Sequence, residues 1–114
     1  MSLNPDQIVA SMTSAAQTAF QENWDAVKSY APVEFQKMAL QIVSIANNVA
    51  AYQLNPENGY SPETAKLLFQ MQRTACESVL VAVSQLTLIA IQNAMNAVLN
   101  ALNQSLAGVL TFAV

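Results

Sequence analysis

All four cations and all seven acids of this 114-residue chain lie at or before Glu77, so residues 78–114 carry no charge. The tail-ward third is built from Val, Leu, Ile, Ala and Met. Its amide residues are few: Gln85, Gln92, Asn93, Asn96, Asn100, Asn103 and Gln104. Steps of three, four and seven put most of these amides on one narrow helical stripe. A helix that is apolar around the rest of its circumference is buried in protein or sits in lipid.

Three arrangements accommodate such an arm. It can be the centre of an oligomer, with the amide stripe at a wet edge or in an interhelical ladder that fixes one register. It can lie against a membrane or another apolar surface. It can line a pore. The first is preferred on physical grounds. A spanning helix needs about 20 predominantly apolar residues. Here Ser84-Gln85 and Gln92-Asn93 interrupt the run, and no Lys or Arg follows to set an orientation. A surface-lying helix would carry a basic polar face, and this one is neutral.

The rest of the chain is also helical in pattern. Asn4, Pro5 and Asp6 form a helix start: a cap, a proline where no N–H is needed, and an acid at the positive end of the dipole. Apolar residues then recur at Ile8, Val9, Met12, Ala16, Ala19, Phe20, Trp24 and Val27. Pro32 kinks or breaks this arm. The stripe resumes at Phe35, Met38, Ala39, Ile42, Ile45, Ala46, Val49 and Tyr52. Residues 54–61 gather Asn, Pro and Gly into a loop. Ser61, Pro62 and Glu63 then open a second arm, whose apolar spacing is read through Leu68, Met71, Ala75, Val79, Leu86 and Ile89.

These signals predict one all-α domain over residues 1–114. It is a long antiparallel helical hairpin, with arm one at 5–53, kinked or broken at Pro32, and arm two at 62–110. Straight arms would be roughly 70 Å long. A hairpin has little core of its own, so a homodimer or homotetramer is expected to complete a four-helix-type bundle. Val79, Leu86, Ile89, Val98, Leu102 and Leu106 are the expected self-association residues. The rival is a single-chain bundle with a further turn near Ser84-Gln85, where no Gly or Pro supports one.

Chemistry is scarce. The chain has no histidine, which removes the commonest general base and metal ligand. Glu22, Glu34, Glu63 and Glu77 lack the histidine partners of a helical di-metal site, and one cysteine makes no zinc site. The serines and Cys76 have no base to activate them. Arg73 and Glu77, four apart, read as a solvated surface pair. Phe20 and Trp24 read as core, with a ligand pocket as the alternative. The expectation is therefore no enzyme, no cofactor and no metal.

A net charge of −3 with scattered cations argues against nucleic acid. Cys76 cannot pair within the chain, and no leader pattern opens the sequence, so a cytoplasmic setting is expected. The functional expectation is a self-associating helical structural or interaction protein. A membrane- or granule-surface protein is the alternative, and a ligand-binding bundle the third.

Overall fold

Asn4 opens the first helix as its spacing predicts: its Oδ1 accepts the Asp6 N–H at 2.9 Å. In the computed structural model, which describes residues 4–105, helix α1 runs Pro5–Phe20. A 3-10 turn, Gln21–Asn23, leads to the single turn α2, Trp24–Val27. Three long helices follow: α3 at Ala31–Leu54, α4 at Pro62–Ser84 and α5 at Leu88–Ser105. No strand occurs among the described residues.

The break at Pro32 is present. Tyr30 N–H donates to Val27 O at 2.9 Å, and α3 restarts with Pro32 in its first turn, where a missing N–H costs nothing. A second break lies ahead of it at Gln21, whose φ of 52° and ψ of −125° are unusual for a residue with a side chain. Packing holds it there. Phe20 is buried before the break, Trp24 half-buried after it, and their rings meet at 6.5 Å.

The loop between α3 and α4 is tied by its own residues. Asn55 Oδ1 accepts from Glu57 N–H, and Asn55 O accepts from Asn58 N–H. Gly59 has φ 63°, and a Cβ there would lie 2.0 Å from Asn48 O. Tyr60 N–H donates to that same oxygen at 3.3 Å. Ser61 Oγ then caps α4 by accepting from Thr64 N–H.

The unbroken second arm over 62–110 is not found. Helix α4 ends at Ser84, and Gln85 adopts the left-handed conformation, φ 65° and ψ 9°. The break needs neither Gly nor Pro because hydroxyls cap both sides. Ser84 Oγ accepts from Leu86 N–H at 3.1 Å, and Thr87 Oγ1 accepts from Ala90 N–H at 3.1 Å. The chain then turns back.

Four long helices result, in a closed ring. α1 packs on α3 and α5, and α4 packs on α3 and α5. Short connections make consecutive helices antiparallel. The molecule measures 46 × 21 × 19 Å, which excludes arms of roughly 70 Å. The core is continuous. It takes Ile8, Met12, Ala16 and Phe20 from α1; Phe35, Met38, Ile42 and Ile45 from α3; Phe69, Cys76 and Leu80 from α4; and Ile91, Met95, Val98 and Leu102 from α5. Each such large apolar side chain contributes about 1.5–3 kcal/mol when fully buried. The accessible surface, 6496 Å², is close to the roughly 6100 Å² usual for a monomer of this mass. One copy therefore has a core of its own.

Helix α4 is phased differently from the spacing read through Leu68, Met71, Ala75 and Val79. Its inward residues are Ala65, Phe69, Cys76, Glu77 and Leu80. Met71 and Ala75 point outward, with Leu67. Apolar residues run along two faces of α4, and α3 and α5 cover only one.

Candidate functional site

The six expected self-association residues scatter. Val98 and Leu102 are fully buried against the chain's own helices. Val79 and Leu86 are half-buried, Ile89 is 70% exposed, and Leu106 lies outside the described residues. The amide stripe is a wet edge of the bundle: Gln85, Gln92, Asn93, Asn96, Asn100 and Gln104 are exposed. Asn103 is half-buried, and its Oδ1 is enclosed with no hydrogen-bond partner among the described residues.

One member of that stripe has a structural role. Asn96 Oδ1 accepts from Arg73 Nη2 at 2.6 Å, and Gln92 O accepts from the same nitrogen at 3.4 Å. Arg73 Nε reaches Glu77 Oε2 at 2.8 Å. Glu77 is only 5% exposed. Arg73 and Glu77 are thus not a solvated pair. They are a part-buried clamp in which one guanidinium neutralises a buried carboxylate and joins α4 to α5. Arginine suits this place because its planar fork serves all three acceptors at once.

Beside the clamp, Cys76 is buried at the α3–α4 seam. Burial first, then the Glu34 and Glu77 carboxylates, push its thiol up to about 12, with Lys37 opposing. A thiol so raised holds its proton at neutral pH and is a poor nucleophile. Glu34 pairs with Lys37 at 2.9 Å on the same seam. No group of three or more His, Cys, Asp or Glu among the described residues is placed to hold a metal.

Among the described residues, two open grooves stand out. The larger, about 620 Å³, lies on the outer face of α4 and is lined by Leu67, Gln70, Met71, Thr74 and Ala75. Leu67 and Met71 are 63% and 67% exposed. The smaller, about 470 Å³, follows the α1–α5 seam along Ala10, Ser11, Ser14, Ala15, Thr18 and Ala101. Neither lining contains a charged residue. The outer groove is apolar with large side chains; the seam groove is walled by small residues and hydroxyls.

Phe20 and Trp24 pack on one another, and neither lines these grooves. No helix among the described residues is long and apolar enough to cross a membrane. The outer α4 stripe could have been found in the sequence, because Leu67, Met71 and Ala75 are spaced by four, one helical face apart from Phe69, Cys76 and Leu80. No family model matches this chain, and no curated protein or solved structure matches it.

Proposed function

We propose that this chain is a self-associating helical structural or interaction protein, forming a homodimer or a larger homo-oligomer of four-helix bundles. No catalytic role and no cofactor is part of the proposal. One observation carries it: α4 bears a second apolar stripe, Leu67–Met71–Ala75, that its own bundle leaves uncovered. A helix facing water ordinarily carries charge on that side. Here the face is neutral beyond Lys66, because Arg73 and Glu77 turn toward α5. Contacts of this kind are what interaction surfaces are made from.

The test is the solution mass of detergent-free protein by light scattering, with circular dichroism on the same sample. A helical species at twice the 12.3 kDa of one chain, or a higher multiple, supports the reading. A helical monomer at all accessible concentrations overturns it.

Association with a membrane or granule surface is the second reading. It draws on the adjacent Leu88 and Ile89, 50% and 70% exposed at the start of α5. Liposome flotation tests it. Folded protein that stays out of the lipid fraction removes the membrane form of the idea.

A further inference from the structure

We infer that two copies meet through the outer face of α4, helix against helix and antiparallel, about a two-fold axis near Thr74 and Ala75. The inference rests on the self-association reading and adds the face and the orientation. The face comprises Leu67, Gln70, Met71, Thr74, Ala75, Ser78 and Ala82, all exposed. From Leu67 to Ala82 it runs about 24 Å along the helix. No charge points outward along that length, so closing it buries no unpaired ion.

Size distribution along the stripe sets the orientation. Its large residues, Leu67 and Met71, lie in the N-terminal half, and its small ones, Ser78 and Ala82, in the C-terminal half. A two-fold axis at residues 74–75 sets Leu67 level with the partner's Ala82 and Met71 level with the partner's Ser78. Each large side chain meets a small one, which is how packed layers interdigitate. A parallel pairing would set Leu67 on Leu67 and Met71 on Met71 and leave the small ends apart.

Charge points the same way. Glu63 and Lys66 flank the stripe at one end only. Parallel copies would oppose each to its own kind, which is unfavourable. Antiparallel copies carry them to and past the partner's Val83 and the partner's Ser84, the end of α4, where α4 itself carries no charge. The seam groove of α1 and α5 is the weaker candidate. It is equally neutral, but its lining offers no large apolar side chain to bury.

Three proteins test this together: the wild type, Leu67→Glu and Ala75→Cys. Sedimentation equilibrium gives their masses, and circular dichroism confirms that the variants fold. Mild oxidation of Ala75→Cys reports proximity to the axis, with Ala101→Cys in the seam groove as comparison. Cys76 is buried and stays out of the reaction, which the wild type checks.

The expected result is a wild-type dimer that dissociates on dilution, a Leu67→Glu monomer at the same concentrations, and a disulfide-linked dimer for Ala75→Cys only. A Leu67→Glu protein that keeps the dimer mass overturns the face while leaving self-association standing. Cross-linking of Ala101→Cys would then move the contact to the seam. Dimer loss in Leu67→Glu with no cross-link at Ala75 overturns the antiparallel axis. A wild type that is monomeric throughout overturns both the face and the reading on which it rests.

Discussion

Replacing Arg73 with Met keeps much of the side chain's bulk and removes its charge, leaving Glu77 buried without a partner. Three hydrogen bonds go with it: those to Glu77 at 2.8 Å, Asn96 at 2.6 Å and the Gln92 carbonyl at 3.4 Å. Breaking one side of a buried ion pair costs about 3–5 kcal/mol, most of it from the stranded charge. The Arg73 side chain is 26% exposed, so water can reach part of the vacated space. The lower end, about 3 kcal/mol, is therefore expected. For a domain of this size that corresponds to a fall in Tm of roughly 12 °C.

Urea unfolding followed by circular dichroism at one fixed protein concentration measures the loss, since self-association would make stability depend on concentration. The double variant Arg73→Met, Glu77→Met is the control. With both charges gone, the cost should fall to within about 1 kcal/mol of wild type. An Arg73→Met protein that loses only about 0.5 kcal/mol, the scale of an exposed pair, would refute the buried clamp.

Other consequences follow from the backbone and the thiol. Gln85→Gly should stabilise the chain by up to about 1 kcal/mol, because glycine adopts the left-handed conformation without strain. A loss of about 1 kcal/mol, as inside a continuous helix, would instead deny the break. Gln21→Gly should likewise raise the urea midpoint, by relieving strain of order 1 kcal/mol. Gly59→Ala should cost at least about 2 kcal/mol, from its positive φ and the backbone oxygen of Asn48 in the Cβ's place; a neutral variant would contradict the loop geometry. The Cys76 thiol is raised from 9.0 to about 12 in the fold, so the unfolded chain ionises first. Its contribution is fully present below pH 9 and is lost as pH rises toward 12. Wild type should lose more stability than Cys76→Val over that window, and equal losses would refute the burial argument.

Much of the fold is readable where a residue acts on its immediate neighbours. Asn4 and Ser61 cap the helices they precede, Pro32 marks a helix start, and Asn55 to Gly59 make the loop. Phe35, Met38 and Ile42 face inward as their spacing requires. The unread features depend on partners distant in sequence or on less conspicuous capping. The turn at Gln85 is written in Ser84 and Thr87, hydroxyl residues that cap without the signature of Gly or Pro. Gln21 takes a conformation that local sequence disfavours and that Phe20 and Trp24 hold from both sides.

The phase of α4 was ambiguous because apolar residues at Leu67, Met71 and Ala75 compete with those at Phe69, Cys76 and Leu80. Arg73 and Glu77 look like an ordinary surface pair until Asn96, 23 residues later, is brought beside them. The outer stripe of α4, which carries the functional proposal, was legible as apolar spacing but not as exposed. Exposure was decided by the turn at Gln85, which gave α4 a neighbour on the side of Arg73 and none on the side of Met71.

That turn separates a self-closed bundle from an extended hairpin, so the most direct measurement is a distance across it. Nitroxide labels on Lys66→Cys and Asn100→Cys, both exposed positions, can be read by pulsed dipolar spectroscopy after dilution with unlabelled chain. Buried Cys76 stays unlabelled. Arg73 and Asn96 set the register of α4 against α5, and neighbouring helix axes lie about 8–10 Å apart. The account predicts a label separation within about 25 Å. A continuous helix from 62 to 110 would instead hold the two positions about 51 Å apart, and that distance would contradict the single-chain bundle.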